Sequence, residues 1–332
     1  MKLVHNMRLI AGVSVACLAL ASCAGTGSSE GGSGGSADLP DFNPGNRLTM
    51  VIPMGPGGGS DISGRAIAAG LEEVTGKTIS VENQEGGGGA VGYANFLSQA
   101  GDPSYMLASE TALINLALTQ DVPFHWKDFT PIMKLGQDST IMVVPEKSSY
   151  NTCTDVTKAA AEKDVKVSVS GGVTGNDAIQ FGLIEKDQDV SFQRVPYESG
   201  GEAIAAVLGG HVDVALTNPG EVLGQLESGD LKALCVIAEE RYEYEELKDI
   251  PTTVEQGIDV TFAQYRSFIM PGGLSDEAKE YWIAAAKAYA ETDAFDEYMN
   301  SNFMQTDALY GDEFSKYLED YEADLKAGLE EK

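Results

Sequence analysis

Histidine, cysteine and basic residues are scarce in this chain, and each shortage excludes a class of function. There are three histidines, four cysteines, and 22 lysines and arginines against 51 aspartates and glutamates. His5, His125 and His211 are far apart, so no His/Cys cluster has the spacing of a metal site. The strong negative charge disfavours nucleic acid and anionic lipid surfaces as partners. We therefore predict no metal, no cofactor and no nucleic-acid partner.

Long apolar runs are also missing, except for one at the N-terminus. Leu9–Ala21 is an apolar stretch of 13 residues that follows Lys2 and Arg8, and it is too short to span a bilayer. This arrangement is typical of an export signal. The stretch leads into Leu-Ala-Ser-Cys, which matches a lipobox and predicts lipidation of Cys23. An ordinary signal peptide with a chance cysteine is the alternative.

The predicted signal peptide occupies residues 1–22, and a tether rich in glycine and serine follows at 23–44. Such a composition behaves as a flexible linker between an anchor and a folded body. We expect the mature protein to be extracytoplasmic, attached by its lipid to the outer face of the cell membrane or held in the periplasm. Because Lys2 and Arg8 lie in the signal, the formal charge of −29 becomes −31 in the mature chain.

Two cysteines remain for the folded body once Cys17 and Cys23 are assigned to the N-terminal segments. Cys153 and Cys235 could form a disulfide outside the cell, or they could be two separate buried thiols. Pairing depends on how close the two residues lie in the fold, which their positions in the sequence do not give. Both alternatives stay open at this point.

The rest of the chain alternates short apolar runs with helix-like stretches, a pattern that favours an α/β fold with mostly parallel sheets. The clearest unit starts with the apolar run Leu48–Ile52 and continues through a loop rich in glycine and proline. It then enters a helix at Ser60 or Asp61 that stops at Gly76. Unpaired N–H groups and the positive end of the dipole make the start of such a helix suited to an anion.

Small polar loops follow predicted strands in both halves of the chain, at residues 86–89, 109–111, 170–176 and 217–219. In open α/β sheets, ligands gather at the carboxyl ends of strands beside helix N-termini. Two lobes that face each other in this way form a cleft that can close on a ligand. The C-terminal third is predicted to be helical, and its last helix carries an apolar stripe assigned to the core: Phe314, Leu318, Tyr321, Leu325 and Leu329.

A dinucleotide-dependent enzyme is the competing interpretation of the first glycine loop. Gly55–Ser60 approximates the Gly-x-Gly-x-x-Gly pattern, and Glu82 stands where a ribose-binding acid could lie. Serine replaces the last glycine, however, and Asp61 would place a carboxylate where a pyrophosphate binds. The chain also has no Gly-x-Ser-x-Gly nucleophile elbow. We therefore predict a binding protein without catalysis.

Several motifs in this order resemble the solute-binding receptors of tripartite tricarboxylate transporters, also called the Bug family. The resemblance covers nearly all of residues 47–332. Its first motif is Pro-x-Gly-Pro-Gly-Gly-Gly-Ser-Asp at 53–61, followed by Arg65. The others are Glu-Asn-x-x-Gly-Gly-x-Gly-x-x-Gly from Glu82, Val195–Gly201, Leu208–Asp213, Leu231–Leu234, Asp249–Thr252 and Gly257.

The resemblance implies a two-lobed fold like type II periplasmic binding proteins, with two interlobe crossovers and a ligand cleft between the lobes. It implies that lobe one comprises residues 45–144 plus 265–332, and lobe two residues 145–264. The expected function is that of a lipoprotein receptor that delivers a small organic carboxylate to the membrane permease subunits of a tripartite transporter. We expect a monomer that meets the membrane only through its lipid. A surface lipoprotein with a sensory or adhesive role is the alternative.

In this family, loop amides, hydroxyls and ordered waters hold the ligand's carboxylate. The matching positions are Gly58, Gly59, Ser60, Asp61, Ser109, Thr111, Ser170, Gly171, Gly172, Thr174, Gly175 and Asn218. The chain departs from the family at Asp177, where a histidine is common, and a carboxylate there disfavours a nearby anionic group. Arg266 could contact a distal carboxylate of the ligand, or it could form an ion pair between the lobes or at the surface.

Overall fold

The computed structural model describes residues 39–171 and 175–330 of the chain. The predicted signal peptide, Cys23 and most of the tether lie outside the described residues, as do Gly172 and Thr174. Within the described ranges, no helix is long and apolar enough to cross a membrane.

The strands and helices alternate along most of the chain. The strands are β1 (Leu48–Ile52), β2 (Ile79–Asn83), β3 (Tyr105–Glu110), β4 (Phe129–Ser139), β5 (Ile141–Pro145), β6 (Lys166–Ser170), β7 (Gln193–Tyr197), β8 (Ala215–Thr217), β9 (Leu231–Val236), β10 (Ala263–Pro271) and β11 (Gln305–Tyr310). The helices are α1 (Gly59–Thr75), α2 (Ala90–Phe96), α3 (Ala112–Thr119), α4 (Cys153–Glu162), α5 (Asn176–Gln188), α6 (Gly200–Leu208), α7 (Pro219–Ser228), α8 (Asp276–Ala290), α9 (Asp293–Ser301) and α10 (Gly311–Glu330).

The first sheet has six strands in the order β11-β4-β10-β3-β1-β2. Strand β1 runs parallel to β2 and β3, whereas β10 runs antiparallel to both β3 and β4, and β11 is antiparallel to β4. The prediction of mostly parallel sheets is therefore wrong, because β10 enters this sheet between β3 and β4 in the opposite direction. The prediction of a helical C-terminal third also misses β11, whose residues are exposed or only partly buried.

The other strands form a second sheet, β8-β5-β9, and a third, β6-β7. The second sheet is antiparallel and the third is parallel, and a bridge between Val167 and Val214 joins them. The chain passes between the two lobes after β4 and again before β10, which gives two crossovers. Because Ile141–Pro145 pairs with β8 and β9, this strand belongs to lobe two and not to lobe one as expected. The remaining lobe boundaries stay a prediction.

A disulfide between Cys153 at the start of α4 and Cys235 on β9 decides between the two alternatives left open by the sequence. Their Cα atoms are 6.0 Å apart, and both residues are fully buried. The bond lies in the apolar core of lobe two, among side chains that include Val156, Phe181 and Ile258. It closes a loop with a sequence separation of 82, so it restricts the unfolded chain substantially.

The core of lobe one forms because α1 buries one face against the first sheet. Ile67, Leu71 and Val74 recur at helical spacing on that face and pack with residues of β1, β4 and α8. Helix α1 begins at Gly59, close to the expected Ser60 or Asp61. It ends at Thr75 and is capped by Gly76, which has a positive φ of 65° and donates its N–H to the carbonyl of Glu72.

Helix α10 covers the other face of the first sheet with the apolar stripe expected from the sequence. Phe314 and Leu318 are fully buried, and Tyr321 and Leu325 are partly buried in the same cluster. The rings of Phe314, Tyr317 and Tyr321 each meet the ring of Tyr265 on β10 nearly edge-on. Such edge-to-face contacts add to the area burial. The assignment of this stripe to the core is confirmed, apart from Leu329, whose side chain lies outside the described part.

Candidate functional site

Five helices of the described chain begin around one cavity between the lobes: α1, α3, α5, α6 and α7. Helices α1 and α3 follow β1 and β3 of the first sheet, whereas α5, α6 and α7 follow β6, β7 and β8 of lobe two. Helix N-termini therefore meet the cavity from both sides, at the carboxyl ends of the strands. The free space at its centre is about 60 Å³, which is room for a few water molecules.

The cavity wall is mostly loop backbone, short polar side chains and carboxylates. It consists of Met54, Gly55, Gly58, Gly59, Ser60, Glu110, Ala112, Ser170, Gly171, Gly175, Asn176, Asp177, Glu198, Ser199, Gly200, Leu216, Thr217, Asn218, Glu221, Gln264 and Arg266.

The helix N-termini direct backbone N–H groups to the wall, and at the start of α1 the N–H of Gly59 donates to the carboxylate of Glu221. At α1, α3, α5 and α7 the capping residue makes no side-chain hydrogen bond to the first turn. The fifth helix, α6, is capped by Ser199, which accepts from the N–H of Glu202 at 3.4 Å. Because the first N–H groups of a helix have no partner within the helix, these termini favour an anionic group in the cavity.

Asp61 orders the first glycine loop and does not line the cavity. Its carboxylate accepts hydrogen bonds from the N–H of Gly57 at 3.1 Å, from Arg65 Nε at 3.0 Å and from Asn83 Nδ2 at 2.9 Å. Burial acts to raise the pKa of Asp61, but these three donors outweigh it and hold the pKa below its usual range. The carboxylate thereby fixes the loop to the end of β2.

Side chains of both lobes crowd the space in which a Cβ atom at position 59 would lie. A Cβ atom on Gly59 would lie 2.7 Å from Arg266 Nη2 and 2.9 Å from Glu221 Oε1. A Cβ atom on Gly58 would lie 3.1 Å from the backbone nitrogen of Gly200 in lobe two. The first glycine loop therefore packs directly on lobe two, and larger residues would force the cleft apart.

Arg266 on β10 is the centre of a buried polar network at the base of the cavity. It is 3% exposed, forms an ion pair with Glu110, and lies 3.2 Å from Asp138 Oδ2. Its Nη2 also donates to Asn218 Oδ1 of lobe two at 2.8 Å. Burial acts to lower the pKa of Arg266, but Asp138 and Glu110 outweigh that effect and raise it. Both acids lie on strands of the first sheet, so Arg266 forms its ion pairs within lobe one and reaches lobe two through the hydrogen bond to Asn218; its contact with a distal carboxylate of the ligand stays a prediction.

Two further carboxylates in the wall have strongly perturbed acidity. Asp177 accepts from the N–H and the hydroxyl of Ser170 at 2.9 and 2.6 Å, yet burial raises its pKa to about 6. Burial also raises the pKa of Glu221 to about 7, against the opposing effect of Arg266. Perturbed acidity of this kind is concentrated at functional sites in proteins.

Most of the residues chosen from the sequence come together at this cavity. Those that line it are Gly58, Gly59, Ser60, Ser170, Gly171, Gly175 and Asn218. Ser109 and Thr111 are buried directly beside it without lining it, and Asp61 lies behind the first loop. Gly172 and Thr174 are outside the described residues.

The acidic part of the wall was not among the chosen residues. Glu110 stands between two of them, Ser109 and Thr111, so its position in that turn was a usable signal. Glu221 follows Asn218 by one helical turn and therefore returns to the same side of α7. Gln264 carries no sequence signal, because only the pairing of β10 with β4 brings it to the cavity.

Comparisons with known proteins find one matching family and several structures with a similar fold. A family model described as tripartite tricarboxylate transporter family receptor matches residues 64–331. Protein BugT of Bordetella pertussis is 25% identical over 222 residues, which is 65% of this chain and 68% of that protein.

Two solved structures from Rhodopseudomonas palustris share the fold. MatC with bound malate has a TM-score of 0.77 at 20% identity and covers 85% of this chain and 98% of its own. Rpa4515 with adipate has a TM-score of 0.78 at 19% identity and covers 85% and 95%. The two-lobed architecture expected from the sequence is confirmed by these structures.

Proposed function

Because this chain belongs to the tripartite tricarboxylate transporter receptor family, we propose that it captures a small organic carboxylate in the cleft between its lobes and delivers it to a membrane permease. The family is one of solute-binding receptors and not of enzymes. The chain therefore binds a solute, and the dinucleotide-dependent enzyme is set aside.

The observation that carries the proposal is the meeting of five helix N-termini from both lobes at one cavity. At four of these termini the N-cap residue makes no side-chain hydrogen bond to the first turn, which favours an anionic acceptor there; at α1 the N–H of Gly59 donates to Glu221, which a ligand's carboxylate would replace. The neighbours with malate and adipate support a carboxylate as the bound group.

The residues proposed to hold this carboxylate surround the cavity from both lobes. From lobe one come the first glycine loop and the hydroxyl of Ser60. From lobe two come Ser170, Gly171, Gly175 and Asn218, and we include Gly172 and Thr174 of the same loop in the proposal. A ligand held by both lobes stabilises the closed cleft, because it contributes contacts that only the closed arrangement makes.

Attachment to a membrane through Cys23 is a second part of the proposal. It is supported by the apolar signal, the lipobox match and the glycine-rich tether of the sequence. Metabolic labelling with palmitate should mark the full chain, and Cys23→Ser should abolish that label. An unlabelled wild-type protein would contradict lipidation and leave an ordinary signal peptide.

A thermal-shift screen of the purified chain tests the receptor function. The panel contains citrate, succinate, glutamate, benzoate and nicotinate, with NAD as the control. A ligand that binds only the folded state raises the melting temperature by mass action. We expect a concentration-dependent rise with one class of carboxylate and none with NAD. A rise with NAD alone would overturn the proposal.

A further inference from the structure

Phe303 has a strained backbone conformation between helix α9 and strand β11. Its φ is 56°, and among the described residues one other non-glycine, Asp189, has a positive φ. A bulky residue rarely adopts a positive φ, because its Cβ atom crowds the following carbonyl oxygen. Such a conformation persists only where the surrounding structure enforces it. The packing around Phe303 must therefore outweigh this strain.

The ring of Phe303 lies in an apolar core of lobe two, although the chain on both sides of it belongs to lobe one. It is 4% exposed, and the other described buried residues of this cluster all lie between Ile141 and Leu247. Its ring meets that of Tyr244 nearly edge-on, with the centroids 5.0 Å apart. Met304, the next residue, is buried in the core of lobe one with residues of α9 and the first sheet. Two consecutive side chains thus anchor in the cores of different lobes.

Hydrogen bonding and close backbone packing hold the same segment against lobe two. The hydroxyl of Tyr244 donates to the carbonyl of Met304 at 3.0 Å. A Cβ atom on Gly220 of α7 would lie 3.0 Å from the Cα of Asn302 and 3.2 Å from the carbonyl oxygen of Ser301. The segment before β11 therefore has little room to move toward α7.

This contact lies beside the first crossover between the lobes. Gln305, the first residue of β11, pairs with Gln137 near the end of β4. The last residue of β4, Ser139, is bound to lobe two, because its N–H donates to the hydroxyl of Tyr242 and its carbonyl accepts from that hydroxyl. In the first sheet, β11 and β10 lie on opposite sides of β4. Strands β10 and β3 carry wall residues of the cavity, so Phe303 lies on the side of the crossovers away from the cavity.

We propose that Phe303 limits the opening of the cleft, because its ring anchors lobe one to lobe two behind the crossovers. Opening of the cleft rotates the lobes about the crossovers, so the side of β4 away from the cavity must move in the opposite sense. There the ring would have to leave the core of lobe two, or the segment before β11 would have to press into α7. Either movement is costly in a close-packed interface. Phe303 is thus a positioning residue that acts on a bound solute through the arrangement of the lobes.

Amide hydrogen exchange of the full chain without added carboxylate, followed by mass spectrometry, tests the inference. We expect Phe303→Ala to speed exchange about tenfold in the two loops that meet across the cleft, at residues 57–60 and 199–201. Phe295→Ala is the matched control, because Phe295 on α9 is also buried but belongs to the core of lobe one. Equal loop exchange in the two variants, or slower exchange in Phe303→Ala, would overturn the inference.

Two further variants separate the ring from the backbone strain. Glycine adopts a positive φ without strain, so Phe303→Gly keeps the turn and removes the ring. It should speed loop exchange as much as Phe303→Ala, and wild-type exchange in this variant would contradict the anchoring by the ring. Tyr244→Phe keeps the ring contact but removes the hydrogen bond to Met304, so it should have a smaller effect in the same direction. If neither Phe303 variant folds, unchanged loop exchange in Tyr244→Phe would overturn the inference.

The effect on affinity rests on the proposed function and is measured by isothermal titration with succinate and adipate. A protein that is open more often must use part of its binding free energy to close, so Phe303→Ala should bind these probes about tenfold more weakly. Phe295→Ala should keep the wild-type affinity. Equal or tighter binding by Phe303→Ala would overturn the inference and leave the receptor function in place. A wild-type chain that binds neither probe would count against the proposed function, and the exchange measurement would still decide the inference.

Discussion

Gly59 is the residue at which the requirements of packing and of binding coincide. It stands at the first position of α1, and its Cα is packed against Arg266 and Glu221 with no room for a side chain. The sequence identified this position from its glycine loop and from the family resemblance. It did not identify the reason, because the contacts come from β10 and α7, which are distant in the chain.

We expect Gly59→Ala to weaken binding of the ligand at least tenfold. The added methyl group would lie 2.7 Å from Arg266 Nη2, so the guanidinium or the loop must move and the cleft would close imperfectly. Isothermal titration with the best carboxylate of the screen measures the effect. Gly224→Ala is the control, because a Cβ atom at Gly224 on α7 meets nothing within 4 Å. Equal affinities in wild type and Gly59→Ala would contradict this placement of the loop.

Asp61 has a structural role that the sequence does not predict, because its carboxylate holds the first glycine loop in place. The sequence marks it twice, as a residue of the family motif and as an acid in the first turn of a helix. In the structure it binds Gly57, Arg65 and Asn83, so its carboxylate supports the loop from behind. The sequence could not distinguish these roles, because β2 brings Asn83 to the site only when the first sheet forms. Its direct contact with a ligand remains a prediction.

At the scale of secondary-structure elements, the helices are predicted better than the strands. The stripe on α10 has a clear helical period, and the structure buries its described members as expected. Strand β11 has the sequence Gln-Thr-Asp-Ala-Leu-Tyr, which lacks regular apolar alternation and pairs with β4 through an irregular register. Its position at the sheet edge depends on pairing with β4, which the sequence of β11 itself does not indicate.

We expect Leu318→Ala on α10 to lower the free energy of unfolding by roughly 2–5 kcal/mol. Leu318 is fully buried under the first sheet, so its removal leaves a cavity that the packed rings of Tyr265 and Phe314 cannot fill. Urea denaturation followed by circular dichroism measures the change. Asp324→Ala on the same helix is the matched control, because Asp324 is exposed. A loss below about 1 kcal/mol in Leu318→Ala would mean that α10 is not packed as described.

For the whole molecule, the sequence and its family resemblance anticipate two lobes, two crossovers and a cleft between them. They do not anticipate that the first sheet is mixed, or that β5 belongs to lobe two. Both features depend on which strands pair across long separations, and pairing partners are not encoded in the apolar period of a single strand. The acidic wall of the cavity depends on the same long-range assembly.

The buried acids should make the ligand-free protein less stable at pH 8 than at pH 5. The folded-state pKa values of Asp177 and Glu221 are raised to about 6 and 7, so the folded state holds protons that the unfolded chain releases from about pH 4 upward. Stability contributed by protonation is therefore present below this window and lost as pH rises through about 7. Thermal melts of the ligand-free chain across this range measure the trend.

The double variant Asp177→Asn, Glu221→Gln isolates the contribution of these two groups. We expect its melting temperature to depend less on pH than that of the wild type between pH 5 and 8. Glu227→Gln is the control and should keep the wild-type dependence, because Glu227 is exposed on α7 and does not line the cavity. The same slope in the double variant and the wild type would show that the two acids are not buried as described.

Strands β10 and β11 come last in the chain but belong to the first sheet, so lobe one can finish folding only after lobe two has been synthesised. Strands β5 to β9 are contiguous in the chain and the last residue of the lobe-two core is Phe262, so lobe two can be assembled as soon as residue 262 is available. Strand β4 gains its two sheet neighbours only from residue 263 onward, and until then its edges stay open to wrong partners. Loss of the C-terminal residues should therefore prevent lobe one from folding, because its sheet would lack β10 and β11, whereas lobe two should still fold.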